Sequence, residues 1–209
     1  NGTDLRAVWE NCAPECKVIF SEARLTSFDL NAMYNISDVV VNIASNEGWG
    51  LSSTESLLSC TPIVNNVTGG LQDQCRFEDE NGNWIGFDGT FSTNHKGKFK
   101  KHGKWVMPVF PSNRSLQGSP QTPYIFDDRC KFEDVADAIY KWWEMPAESR
   151  EKCGQSGREF CLSDGLTAKQ MGGKMVELIN FLLTQPRQRR PRYTLNKVEK
   201  RKYKEMGIL

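Results

Sequence analysis

The sequence predicts an α/β chain built on a doubly wound parallel sheet, and three observations carry that expectation. Two runs, "DVVVNIAS" (Asp38 to Ser45, with β-branched Val39, Val40, Val41 and Ile43) and "TPIVNNV" (Thr61 to Val67), are rich in apolar and β-branched residues without strict alternation, as strands buried on both faces are. A glycine-bearing turn and a short helical stretch separate them, which makes strand, helix and strand within about thirty residues, the length of a βαβ unit. Helical periodicity then returns late in the chain, in "KFEDVADAIYKWWEM", with Val135, Ala138, Ile139 and Trp142 on one face and Pro146 at its end. In sheets of this kind ligands bind at the carboxyl ends of the strands.

Composition bounds the rest. The 209 residues are 38% hydrophobic and 25% charged, enough to bury the core of one domain with or without an appendage. Lys and Arg number 27 against 26 Asp and Glu, so the net charge of +1 favours no polyanionic partner for the chain as a whole. Neither an apolar run of about 18 residues nor a signal-peptide pattern is read in the sequence, and the expected location is cytoplasmic. The seven cysteines (Cys12, Cys16, Cys60, Cys75, Cys130, Cys153, Cys161) are odd in number and irregular in spacing, which argues against a disulfide scaffold. On a helix Cys12 and Cys16 would stand one turn apart, but no nearby second pair or histidine completes a zinc site. Sequons such as those at Asn35, Asn66 and Asn113 matter only in a secreted protein.

From the start of the chain, Thr3 to Glu10 fits the end of a helix, and "KVIF" (Lys17 to Phe20) is a short run of strand type. Ser27 is the expected N-cap of a helix carrying Leu30, Met33 and Tyr34. The strand at Val39 to Ile43 leads to the turn Gly48 to Gly50 and a helix from about Ser52 to Ser59, with Leu57 and Leu58 on its buried side. The second strand, within Thr61 to Val67, ends in another tight turn, Thr68 to Gly70. Residues 74–129 then break the rhythm, being rich in Gly, Asn, Pro, Lys and aromatics, and read as an irregular insertion with short hairpins around "GNWIGF" and "GKWVMPVF". Its segment His95 to Trp105 carries five lysines and reads as a solvated loop, with contact to a phosphate or acidic acceptor as the sharper alternative. Two more helices are expected over about Ala147 to Phe160 and Thr167 to Leu183, with their apolar residues in the core. The tail, 186–209, holds nine Lys or Arg between Arg187 and Lys204. The lobe is therefore 1–73 and 130–185, the insertion 74–129 and the basic tail 186–209.

The stretch "SNEGWGLSSTESLLSC" (Ser45 to Cys60) holds the chemistry. A helix that starts just after a strand-end turn presents unpaired amides and a partial positive charge, which favour an anion such as phosphate. Gly48 and Gly50 would let a ligand approach the backbone without meeting a Cβ. Glu47 would stand beside whatever carries the anion, and Glu55, one turn into the helix, would reach another part of it, since carboxylates accept hydroxyl hydrogen bonds well. A phosphate between two polyhydroxyl groups, a nucleotide-sugar, satisfies all three features. The plainer alternative makes Glu55 a surface residue, Glu47 a helix-start charge and Trp49 a core anchor.

This stretch, continued through "TPIVNNVTGG", resembles the donor-binding signature of the large family of retaining glycosyltransferases with the GT-B fold, glycosyl transferases group 1 (family 4-like). The matching residues are Glu47, Gly48, Trp49, Gly50, Leu51, Glu55, Cys60, Thr61, Pro62, Ile63, Val64, Gly69 and Gly70. Weaker likeness covers Lys17 to Ser45 and Lys131 to Leu183, whereas residues 74–129 are much longer than the family's segment. The resemblance implies a Rossmann-like carboxyl-terminal lobe, incomplete at its N-terminal side. It implies a retaining hexosyltransferase-like enzyme that needs no metal and no cofactor beyond its donor, a UDP- or GDP-sugar. In it Glu47 is the catalytic-site glutamate binding the transferred sugar, and Glu55 binds the ribose hydroxyls. Gly48, Trp49, Gly50 and Leu51 line the sugar, amides over Leu51, Ser52 and Ser53 meet the distal phosphate, and Leu25 is a base-side contact. The family's Arg and Lys pair for the diphosphate belongs to a strand and helix upstream of Asn1. The expected partners are thus the nucleotide-sugar, an acceptor and the N-terminal lobe of the same protein, with the chain inactive alone. Two alternatives stand beside this one. A noncatalytic nucleotide-sugar-binding or assembly module would keep the pocket without turnover, and a glycosyltransferase acting on modified nucleic acid would use the lysines and the basic tail, with salt-dependent binding.

Overall fold

The computed structural model describes residues 3–86, 99–119 and 121–185. The basic tail and residues 95–98 of the lysine-rich segment lie outside them. The chain divides into two units, 1–167 and 168–209.

In the first unit, helix α1 (Leu5–Cys12) is capped by Asp4, whose carboxylate accepts the Ala7 amide. Its Trp9 indole donates to the Cys16 carbonyl and meets Phe20 edge-on at 6.0 Å. The strand expected at Lys17 to Phe20 does not form: these residues are irregular, and Ile19 is 94% exposed. β-branched residues favour a strand only where a neighbouring strand offers hydrogen bonds, and here Phe20 packs on α1 instead. Helix α2 (Ser27–Ile36) starts one residue earlier than expected, because Thr26 rather than Ser27 is its cap; the Thr26 hydroxyl accepts the Asp29 amide and pairs with the Asp29 carboxylate.

The sheet follows. β1 (Val40–Asn42), β2 (Ile63–Asn66) and β3 (Val106–Val109) are parallel and ordered β1-β2-β3. The chain is thus an α/β protein with a small parallel sheet. The sequence predicts β1 buried on both faces; among the described residues it is an edge strand with β2 as its one neighbour, and Val41 is 39% exposed. The central β2 is buried along its whole length, Asn65 and Asn66 included. β3 corrects the reading of "GKWVMPVF" as a hairpin: it is the third strand of the sheet, so the stretch 74–129 supplies part of the core. The turn around "GNWIGF" does form, with Asp79 and Asn83 hydrogen-bonded across it and Glu78 bridged to Trp84.

Side chains of alternate direction on β2 and β3 fill two cores. On one face Ile63 and Val106 pack with Leu57 of α3 (Leu51–Leu58), Cys75 of α4 (Leu71–Cys75) and, beyond the sheet, Trp105 and Phe160. On the other, Val64 and Val109 pack with Val135, Ala138 and Trp142 of α5 (Phe132–Glu144). Helices thus cover both faces of the sheet. Helix α6 (Ala147–Ser163) returns to the first face, where Phe160 stacks on Trp105 at 4.6 Å. Between β3 and α5 the chain forms an antiparallel hairpin, β4 (Asn113–Ser119) and β5 (Thr122–Arg129).

The second unit contains α7 (Ala168–Thr184), with Met171, Met175, Leu178 and Leu182 at helical spacing. Its apolar residues were expected in the core, but none of them is buried. Among the described residues, no helix is long and apolar enough to cross a membrane.

Candidate functional site

β1, β2 and β3 run parallel, so the chain leaves all three at the same edge of the sheet. That edge carries the turn Ser45 to Gly50, the turn Thr68 to Gly70 and the root of the hairpin β4–β5.

The first turn is held by the second. The Gly70 amide donates to the Glu47 carbonyl at 3.1 Å. A Cβ on Gly69 would run into the Glu47 carbonyl, and one on Gly70 into the Gly48 carbonyl and the Trp49 Cα, so the two backbones touch only because both residues are glycine. Gly50 sits in the left-handed region at φ 85°, where it begins α3. A Cβ there would collide with the Leu71 side chain, so Gly50 answers to packing as well as to any ligand. Gly48 differs: its Cβ would meet open space, which leaves it facing outward.

Gln74, on α4, clamps the far end of the turn. Its Nε2 donates to the Trp49 carbonyl and, at 3.0 Å, to the Gly50 carbonyl, while its Oε1 accepts the Thr54 hydroxyl. The Trp49 indole donates to Thr54 Oγ1 at 2.9 Å, so Trp49 is half-buried and fixed by the first turns of α3. Beneath them, Asn42 donates to the hydroxyls of Ser52 and Ser53, and the buried Ser53 hydroxyl donates to Asn65 Oδ1 at 2.9 Å. Asn65 Nδ2 and Asn66 Oδ1 are buried without a partner, each costing about 1–3 kcal/mol in an apolar setting. Such atoms are few in a native core, and among the described residues these two at the carboxyl end of β2 are joined by a third, Gln72 Oε1 on α4.

The sequence-predicted residues distribute as follows. Glu47 is half-buried, with Oε1 accepting its neighbour's Gly48 amide at 3.1 Å. Glu55 is exposed on α3, and its Oε2 accepts the Tyr34 hydroxyl of α2 at 2.9 Å. Burial and this carboxylate push the Tyr34 phenol well above its ordinary pKa, so at neutral pH it is a fixed donor that holds Glu55 in place. Leu51 and Ser52 are exposed and their amides, first in the helix, have no intrahelical acceptor. The Ser53 amide instead donates to the Gly50 carbonyl at 3.1 Å, which leaves two amides, not three, at the front of α3. Leu25 stands in the irregular segment just before the Thr26 cap, outside the turn. Tyr34, Gln74 and Asp128 were not singled out from the sequence. Their roles depend on long-range contacts, and only the proximity of Gln74 to the glycine turn was open to view.

A cavity of about 440 Å³ opens beside Glu55, lined by Leu30, Asn31, Tyr34, Leu58, Arg158 and Leu162. Another, of about 400 Å³, lies against α5 and the end of β3, lined by Phe99, His102, Phe110, Asp134, Asp137 and Lys141. Among the described residues no group of three or more His, Cys, Asp or Glu is arranged to hold a metal ion.

Fold and site define an α/β protein with a glycine-built turn and a helix start at the carboxyl edge of a parallel sheet. No family model matches the chain, and no curated protein matches it significantly.

Proposed function

We propose that this chain is the donor-binding part of a retaining glycosyltransferase of the GT-B type, taking a UDP- or GDP-sugar. The observation that carries the proposal is the seating of the Glu47 to Gly50 turn on the Gly69–Gly70 turn, directly before a helix whose first amides are open and whose second turn bears Glu55. In this reading the amides of Leu51 and Ser52 and the positive end of α3 receive the phosphate next to the sugar. They are fixed before the reaction, so they meet the charge that develops as the phosphate departs without reorganising. Glu55, already oriented by Tyr34, accepts the ribose hydroxyls. Glu47 accepts hydroxyls of the transferred sugar, with Gly48 leaving room for it. In this reading the acceptor is bound by the other lobe.

Calorimetric titration with UDP-glucose and GDP-mannose tests the proposal. The chain binds one of them, and Glu55→Ala weakens that binding by about 1–3 kcal/mol, roughly 5- to 150-fold, the usual size for a lost hydrogen bond to a charged group. Binding of neither, or binding that Glu55→Ala leaves unchanged, contradicts it.

A further inference from the structure

We infer that the hairpin β4–β5 is a strap on the sugar side of this site, and that Asp128 is its positioning residue; the inference rests on the donor-site reading. Asp128 is 3% exposed, and four of its atoms are committed to hydrogen bonds. Its amide donates to the Ser45 carbonyl at 2.8 Å, and its carbonyl accepts Asn66 Nδ2 at 2.8 Å. Its carboxylate accepts the Thr68 hydroxyl at 3.0 Å and Arg114 Nε at 2.9 Å. The same Asn66 amide also donates to the Ala44 carbonyl at 2.9 Å. One hairpin residue thus joins the end of β1, the end of β2 and the start of the glycine turn.

The consequence is a closed ring. Glu47 lies two residues past Ser45, Gly70 two past Thr68, and the Gly70 amide closes on the Glu47 carbonyl. Asp128 shuts the other end by holding Ser45 and Thr68 to one point. Losing its carboxylate leaves the Thr68 hydroxyl only its longer, 3.5 Å bond to the Ser45 carbonyl and unties the hairpin's arginine, so the second closure of the Glu47 turn is weakened while the backbone bonds of Asp128 remain. Glu55 is positioned from elsewhere, by α2 through Tyr34. The sugar end and the ribose end are therefore supported by different parts of the chain, and a defect in the strap is felt at the sugar end.

The test compares two ligand pairs, UDP-glucose with UDP and GDP-mannose with GDP, on the full chain. Asp128→Ala raises the Kd of the sugar-nucleotide about tenfold while that of the free nucleotide stays within about twofold, and Thr68→Val does the same more weakly. Asp128→Asn, which keeps the shape and loses the charge, falls between. Equal weakening of both members of a pair, the result of general loosening, overturns the inference, as does no weakening. Hydrogen exchange judges the strap without any ligand: in Asp128→Ala the amides of residues 46–50 exchange about tenfold faster while those of α5 are unchanged. Unchanged exchange at 46–50 overturns the strap, whereas absence of binding by the parent chain overturns the donor-site reading.

Discussion

Gly69→Ala and Gly70→Ala are each expected to cost about 3 kcal/mol of folding stability, while Gly48→Ala, in the same motif, stays within about 0.5 kcal/mol. Gly69 sits at φ 46°, where an L-residue with a Cβ pays about 1–2 kcal/mol. Its Cβ would also push on the Glu47 carbonyl, and backbone cannot swing aside as a side chain does. Gly70 has ordinary helical dihedrals, so its cost is steric alone, against the Gly48 carbonyl and the Trp49 Cα. Either variant pushes the first turn away and breaks the hydrogen bond from Gly70 to Glu47. Urea denaturation of the three variants reads the contrast. A Gly48 variant as damaged as the other two would mean that the turns do not meet as described. If Gly48→Ala is stable yet weakens sugar-nucleotide binding, its glycine serves the ligand.

Trp142→Ala is expected to lose about 4 kcal/mol, and its neighbour Trp143→Ala no more than about 0.5. Trp142 is 1% exposed between α5 and the sheet, and its indole donates to the Ile63 carbonyl at 3.2 Å, at the start of β2. Removing it empties the second core and leaves that carbonyl unmet by a side chain. Trp143 is 71% exposed and touches Tyr140 on the outer side of α5. Thermal or urea unfolding measures both, and a reversal of their order would place α5 on the sheet by the wrong face.

The unit from β1 through α3 to β2 was legible because every signal in it is local: β-branched runs, glycines at the turns and an apolar side on the helix. The late helices α5 and α6 were legible for the same reason. Other features were not, and three of them show that the missing information lies in residues distant in the chain. The strand β3 is four residues long and contains Pro108, paired in register with Asn65, and proline in so short a run reads as a break. Lys17 to Phe20 has the residues of a strand but, among the described residues, no strand beside it, so propensity had nothing to act on. β1 carries a buried strand's pattern at the edge of a three-stranded sheet, because burial is set by neighbours and not by the run itself. At the candidate site, the glutamates and glycines could be read from spacing. Tyr34, Gln74 and Asp128, which hold them, are 21, 24 and 60 residues away from the groups they bind, Glu55, Gly50 and Thr68.

The most direct measurement is an amide chemical-shift titration of the labelled chain with UDP-glucose and GDP-mannose. If the carboxyl edge of the sheet is the donor site, saturable shifts gather at Gly48, Leu51, Ser52 and Glu55, and Glu55→Ala weakens them. Saturable shifts confined to the cavity of Phe99, His102 and Asp137, or no shifts with either ligand, would contradict it.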